Sequence, residues 1–165
     1  TAECYTEDGF FRTGDRGEYS DDGLLKITGR LKEIFKTTKG KYVAPVPIEN
    51  LLNADSSIEL SCVSGAGRPA SHALVQLAEE LRPKVSDPAF REQMGESLAA
   101  LLKDVNSQIE DYEHLQFIAV VNEEWDISND FLTPTLKIKR NVIEDAYEKH
   151  LDEWYDSKQR VIWQL

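Results

Sequence analysis

Cysteine is scarce in this sequence: Cys4 and Cys62 are the two present, and their separation fits no metal-ligand spacing. A disulfide framework is excluded, and the pair points to a reducing compartment. Positive charge is the second shortage. Nineteen Lys and Arg stand against thirty Asp and Glu, a formal net charge of -11, which opposes non-specific binding to nucleic acid. No apolar run approaches the roughly 20 residues that span a bilayer. The opening TAECYTEDGFF also lacks the basic and apolar segments of a signal peptide. These absences point to a cytoplasmic protein. His72, His114 and His150 are scattered, with no Ser or Cys beside them in a nucleophile motif, so neither a catalytic triad nor a zinc site is expected.

What is present describes a folded chain with a wet, acidic surface: 41% hydrophobic and 30% charged residues over 165 positions, room for one domain with a real core or one domain plus a fragment of another. Thr1 stands where an initiator Met would, and runs straight into turn-like sequence, as expected of an excised piece of a longer protein. GEYSDDGLLKIT (17 to 28) predicts a β-hairpin about Asp22-Gly23, and EIFKTTKGKYVA (33 to 44) a second about Lys39-Gly40. Pro45 and Pro47 stop that strand, and PIENLLNA predicts a short helix entered through Pro47. LSCVSGAGRPASHALVQLAE reads as strand, loop, strand. Its Gly65-Ala66-Gly67 loop lacks the third glycine of a dinucleotide motif. Asp87-Pro88 caps a long helix whose Phe90, Met94, Leu98, Leu101, Leu102, Val105 and Ile109 recur at steps of three and four. A strand at 115 to 121, a polar connection to Pro134 and a final helix marked by Val142, Tyr147, Leu151 and Trp154 complete an α+β order.

Three residues invite chemistry. Asp15, on a Thr-Gly-Asp turn, can accept hydrogen bonds from vicinal ribose hydroxyls, and the Arg30 fork can donate to sugar or phosphate oxygens. A turn aspartate and a surface arginine explain the same residues as well. Lys137, in TLKIKR (135 to 140), could reach a carboxylate and an α-phosphate on its long stem. A solvated lysine is the alternative. Three cations at a helix entrance oppose the helix dipole, which hints at a task. For Lys139 and Arg140, steering phosphates or contacting another domain stands beside a simple solubility role.

Taken together, GFFRTGDRGEYSDDGLLKITGRLKEIFKTTKGKYVAPVPIEN (9 to 50) and LTPTLKIKR (132 to 140) resemble the ordered motifs of the acyl-adenylate-forming superfamily. KTTKGKYVAPVPIENLL looks most like its long-chain fatty acyl-CoA synthetases. Many other branches carry Ser-Gly before the lysine, where Thr135-Leu136 stands here.

The resemblance implies a tail of the large N-terminal adenylating domain over 1–31 and a small mobile C-terminal lid over 32–165. That lid would hold hairpins, a small mixed sheet and flanking helices. It implies that Asp15 and Arg30 bind the nucleotide, that Lys32 is the hinge, and that Lys137 promotes acyl-AMP formation. The Lys36 to Gly40 hairpin would then line the CoA channel for thioester formation. ATP, Mg2+ held mainly by the N-terminal domain, and CoA as substrate are implied with it. So are the chain's own N-terminal domain and a fatty acid as partners, with no nucleic acid, while peripheral membrane association stays open. The function expected is part of a long-chain fatty acid:CoA ligase, inactive alone. An enzyme loading a carrier-protein thiol, or a binding module that kept the lid fold without catalysis, are the alternatives.

Overall fold

A computed structural model describes residues 4–164. The first hairpin pairs β1 (Asp15–Tyr19) with β2 (Leu25–Arg30), antiparallel, and Gly23 takes the positive φ of 78° that its turn requires. The second pairs β3 (Phe35–Lys36) with β4 (Tyr42–Val43). Gly40, at φ 78°, donates its N–H to the Thr37 carbonyl at 2.9 Å. Both turns fall where the sequence puts them.

Helix α1 (Pro45–Leu52) begins two residues before the expected Pro47. Pro45 starts this helix rather than stopping a strand, because the first-turn N–H groups lack intrahelical acceptors and a proline loses nothing there.

The body of the molecule is a four-stranded mixed sheet of β5 (Ile58–Ser64), β6 (Ser71–Leu77), β7 (Leu115–Val120) and β8 (Val161–Trp163), in that spatial order. The first two run antiparallel, and the remaining pairings are parallel. Each parallel pairing needs a crossover. Helix α2 (Pro88–Ser107) supplies the first and α3 (Arg140–Ser157) the second. Asp87 caps α2 as expected, its carboxylate accepting from the Ala89 N–H at 2.9 Å.

The sheet is therefore buried on both faces, and all seven residues of β6 are buried. Val63, Ala73, Val75 and Val120 join α1 and α2 in one apolar cluster; Cys62, Leu74, Phe117 and Ile162 join α3, Trp125 and Phe131 in the other. A register shift between Ser71/Ala73 and their β7 partners lets Leu115 and Phe117 face opposite clusters despite their even spacing. Phe117 is wholly enclosed, and truncating such a residue to Ala costs about 3–5 kcal/mol. The α+β expectation with a small mixed sheet holds. Strand β8 was not anticipated.

Candidate functional site

The β1–β2 register sets Asp15 opposite Arg30. Arg30 Nε lies 3.3 Å from Asp15 Oδ1. Gly14, at φ 78°, turns the chain so that its carbonyl accepts from the Leu31 N–H at 2.8 Å, and the Thr13 hydroxyl accepts from the Asp15 N–H at 3.1 Å. Pairing through Nε leaves the second carboxylate oxygen and both terminal guanidinium nitrogens for a ligand. That donor and acceptor set suits a ribose and its phosphate.

Lys32 follows in a single 3-10 turn (Leu31–Glu33) and is exposed. It shares an open groove of about 510 Å³ with Lys36 on one side and Lys139, Arg140 and Glu144 on the other. Lys36 Nζ stands 5.3 Å from the Tyr42 ring centroid, a cation–π contact that lays the side chain along its own hairpin. Gly40 is exposed at the hairpin tip, flanked by exposed Lys39 and Lys41.

Lys137 sits on a tight reverse turn. Thr133 is its base: the Leu136 N–H donates to the Thr133 carbonyl at 2.8 Å, the Thr133 N–H donates to the Lys137 carbonyl at 2.8 Å, and the Lys137 N–H donates to the Thr133 hydroxyl at 3.1 Å. Leu136 adopts φ 59°, a left-handed conformation uncommon for a branched side chain, and Leu132 bridges Ile138 behind it. Lys137 is exposed and forms no ion pair among the described residues. Its groove-side neighbours face Lys32 and Lys36, while Lys137 itself lies outside that groove's lining.

The other two cations of TLKIKR are not free. Lys139 pairs with Asp130. The Arg140 side chain is largely buried, its Nη1 donating to Glu49 Oε1 at 2.6 Å and to the Val63 carbonyl at 2.7 Å, its Nη2 to Glu49 Oε2 at 3.0 Å. Burial works against this charge, but the Glu49 hydrogen bonds and surrounding carboxylates outweigh it and hold the guanidinium pKa above its ordinary value. Its bonds are made within the fold, so a simple solubility role does not describe Arg140. It anchors the start of α3. Glu49, which sequence reasoning passed over, is its counter-ion, and the apolar setting of PIENLL carries no signal of that task.

Among the described residues, no group of three or more His, Cys, Asp or Glu could hold a metal ion, and no helix is long and apolar enough to cross a membrane. Cys62 is enclosed beside Arg140, and burial pushes its thiol pKa up.

Residues 32–159 match the model of the AMP-binding enzyme C-terminal domain. The chain is 31% identical to the long-chain-fatty-acid–CoA ligase FadD15 of Mycobacterium tuberculosis, over 96% of this chain and 28% of that protein. It is 33% identical to long chain acyl-CoA synthetase 2 of Arabidopsis thaliana, over 93% of this chain and 25% of that protein. It thus spans about a quarter of the length of these relatives. Among solved structures, the adenylation domain of a carboxylate reductase from Mycobacterium chelonae superposes with a TM-score of 0.77 at 24% identity, covering 94% of this chain and 24% of that one. The adenylation domain of a carboxylic acid reductase from Segniliparus rugosus, in complex with AMP and a carboxylic acid, gives 0.75 at 24% identity, covering 95% of this chain and 25% of that one. These likenesses show a shared fold. With the family model covering most of its length, the chain belongs to the AMP-binding enzyme C-terminal domain family.

Proposed function

We propose that this chain is the C-terminal part of an ATP-dependent, AMP-forming long-chain fatty acid:CoA ligase, with residues 1–31 belonging to the adenylating domain and 32–165 forming its lid. The observation that carries the reading is Lys137, an exposed ammonium without an ion pair among the described residues, held on a turn defined by three hydrogen bonds in which Thr133 takes part. Long-chain fatty acid:CoA ligases among the relatives supply the substrate class.

In the first half-reaction a fatty acid carboxylate oxygen attacks the α-phosphorus of ATP, the bond to the β-phosphate breaks, and pyrophosphate leaves. Lys137 neutralises charge shared between carboxylate and α-phosphate as that bond forms. Asp15 and Arg30 hold the ribose. In the second half-reaction the CoA sulfur attacks the acyl carbon, the thiol proton is released, and the acyl–oxygen bond breaks to free AMP. Rotation about Lys32 withdraws Lys137 and brings in the Lys36–Gly40 hairpin, whose exposed cations suit an anionic CoA.

The test is made in the full-length protein. AMP release should require palmitate, ATP, Mg2+ and CoA. Lys137→Ala should lower adenylation by about 10²- to 10³-fold and spare thioesterification of supplied palmitoyl-AMP. Equal loss in both half-reactions removes the role given to Lys137. A protein that releases AMP only when a carrier-protein thiol replaces CoA has a different acceptor, and one that adenylates no carboxylate is a binding module. The same reading makes the enzyme cytoplasmic and leaves peripheral membrane attachment open, which fractionation decides.

A further inference from the structure

The β3–β4 hairpin has strands of two residues each, too few bonds to hold a fixed pose unaided. It rests on the turn between β5 and β6. The Thr38 N–H and hydroxyl both donate to the Arg68 carbonyl, at 3.0 and 3.3 Å, and the Gly67 N–H donates to the Lys36 carbonyl at 3.0 Å. Gly65 presses against the same hairpin so closely that a Cβ there would lie 3.1 Å from the Phe35 ring.

The far side of that turn is held by the Arg68 side chain. Its Nη2 donates to Glu148 at 2.5 Å and its Nη1 to Asp152, two carboxylates four residues apart on α3, and its guanidinium lies 5.8 Å from the Tyr155 ring centroid. Its side chain is 20% exposed, against 63% for Glu148 and 87% for Asp152. Arg68 therefore receives the hairpin on its carbonyl while its fork grips α3, beside the Tyr155 hydroxyl that donates to the Ala70 carbonyl of the same turn at 2.6 Å.

We propose that Arg68 is a positioning residue for the Lys36–Gly40 hairpin, clamping the β5–β6 turn to α3 and thereby fixing where the hairpin stands during thioester formation. This rests on the ligase reading given above. A guanidinium serves two carboxylates at once through its planar fork, whereas an ammonium is a point charge that engages them poorly together. The Lys137 turn is held by Thr133 and by the Lys139 N–H donating to the Phe131 carbonyl at 2.8 Å, none of which involves Arg68. The clamp accordingly acts on the second half-reaction and leaves the first alone.

The experiment uses the full-length protein with Arg68→Ala, Arg68→Lys and the pair Glu148→Gln/Asp152→Asn, the last altering exposed carboxylates and leaving the core untouched. Adenylation is followed by palmitate-dependent pyrophosphate exchange, thioesterification from supplied palmitoyl-AMP and CoA, and amide hydrogen exchange at Thr38 and Gly67. Arg68→Ala should lower kcat of thioesterification about tenfold with adenylation within about twofold, a misplacement effect of moderate size. Arg68→Lys should recover part of that loss, and the carboxamide pair should reproduce most of it. Exchange at Thr38 and Gly67 should accelerate. Equal losses in both half-reactions, unchanged thioesterification, or unchanged exchange overturn the proposal. A wild-type protein that catalyses neither half-reaction overturns the ligase reading and the positioning role with it, while the exchange data still report whether the clamp holds the hairpin.

Discussion

Removing Glu49 should do more damage than its position in a short helix suggests. The Glu49 and Arg140 side chains are 8% and 11% exposed, so Glu49→Ala leaves a buried guanidinium with two of its hydrogen bonds gone. The Val63 N–H, which donates to Glu49 Oε1 at 2.7 Å, is orphaned as well. What remains for Arg140 is the Val63 carbonyl, the Cys62 sulfur at 3.5 Å from Nη1, and Glu33, whose Oε2 lies 3.9 Å from Nη2 and is partly exposed. Breaking a buried pair from one side costs about 3–5 kcal/mol. In a domain of this size that corresponds to a fall in Tm of roughly 6–20 °C.

Replacing both partners should cost less. In Glu49→Leu/Arg140→Met no charge is left buried, and the main debit is the unsatisfied Val63 peptide, about 1–3 kcal/mol. Urea denaturation of the wild type, both single variants and the double variant gives the coupling directly. The reasoning fails if Glu49→Ala costs less than about 1 kcal/mol, or if the two single losses simply add.

Three further outcomes are expected. Burial first, and the Arg68 charge second, push the His72 pKa from 6.5 down to about 3, so between these values the unfolded chain binds a proton that the folded one does not. This contribution to stability is complete above pH 6.5 and is lost as pH falls, with a slope approaching about 1.4 kcal/mol per pH unit; His72→Gln should flatten the urea-derived slope between about pH 6.5 and 5, and an unaltered slope contradicts it. Gly65→Ala should cost about 1–3 kcal/mol, because its Cβ would stand 2.9 Å from Ser71 Cα and 3.0 Å from the Ala70 carbonyl, backbone atoms that cannot step aside; calorimetry measures the loss. Cys4 is exposed and Cys62 enclosed, so a thiol reagent should modify one cysteine in the native protein and both in guanidinium, and rapid native modification of both would contradict the enclosed site.

Local chemistry made much of this fold legible. Asp87-Pro88 announces α2 because the cap and the fixed φ act within one turn, and Asp22-Gly23 and Lys39-Gly40 announce turns because glycine alone enters their backbone region freely. Asp15 and Arg30 were nameable together, since any hairpin in that register places them opposite each other. Strand β8 was illegible: Val161-Ile162-Trp163 is too short to show a period, and its pairing with β7 comes from the α3 crossover. Arg140 misled for a related reason. Its partner Glu49 lies 91 residues away, and nothing in TLKIKR separates a buried cation from a solvated one.

Helix α3 gives these separate observations a mechanical sense. The Lys137 turn leads into its first residue, and the Arg68 clamp grips it at Glu148 and Asp152, about 12 and 18 Å farther along at 1.5 Å per residue. Two cationic loops are thus mounted on one rod, seated against the sheet by Phe117 and Ile162. Such a body transmits rotation without absorbing it: in the ligase reading proposed above, a turn of the whole unit about a pivot near Lys32 would carry one loop off as it swung the other in, with no internal rearrangement needed to keep them in step.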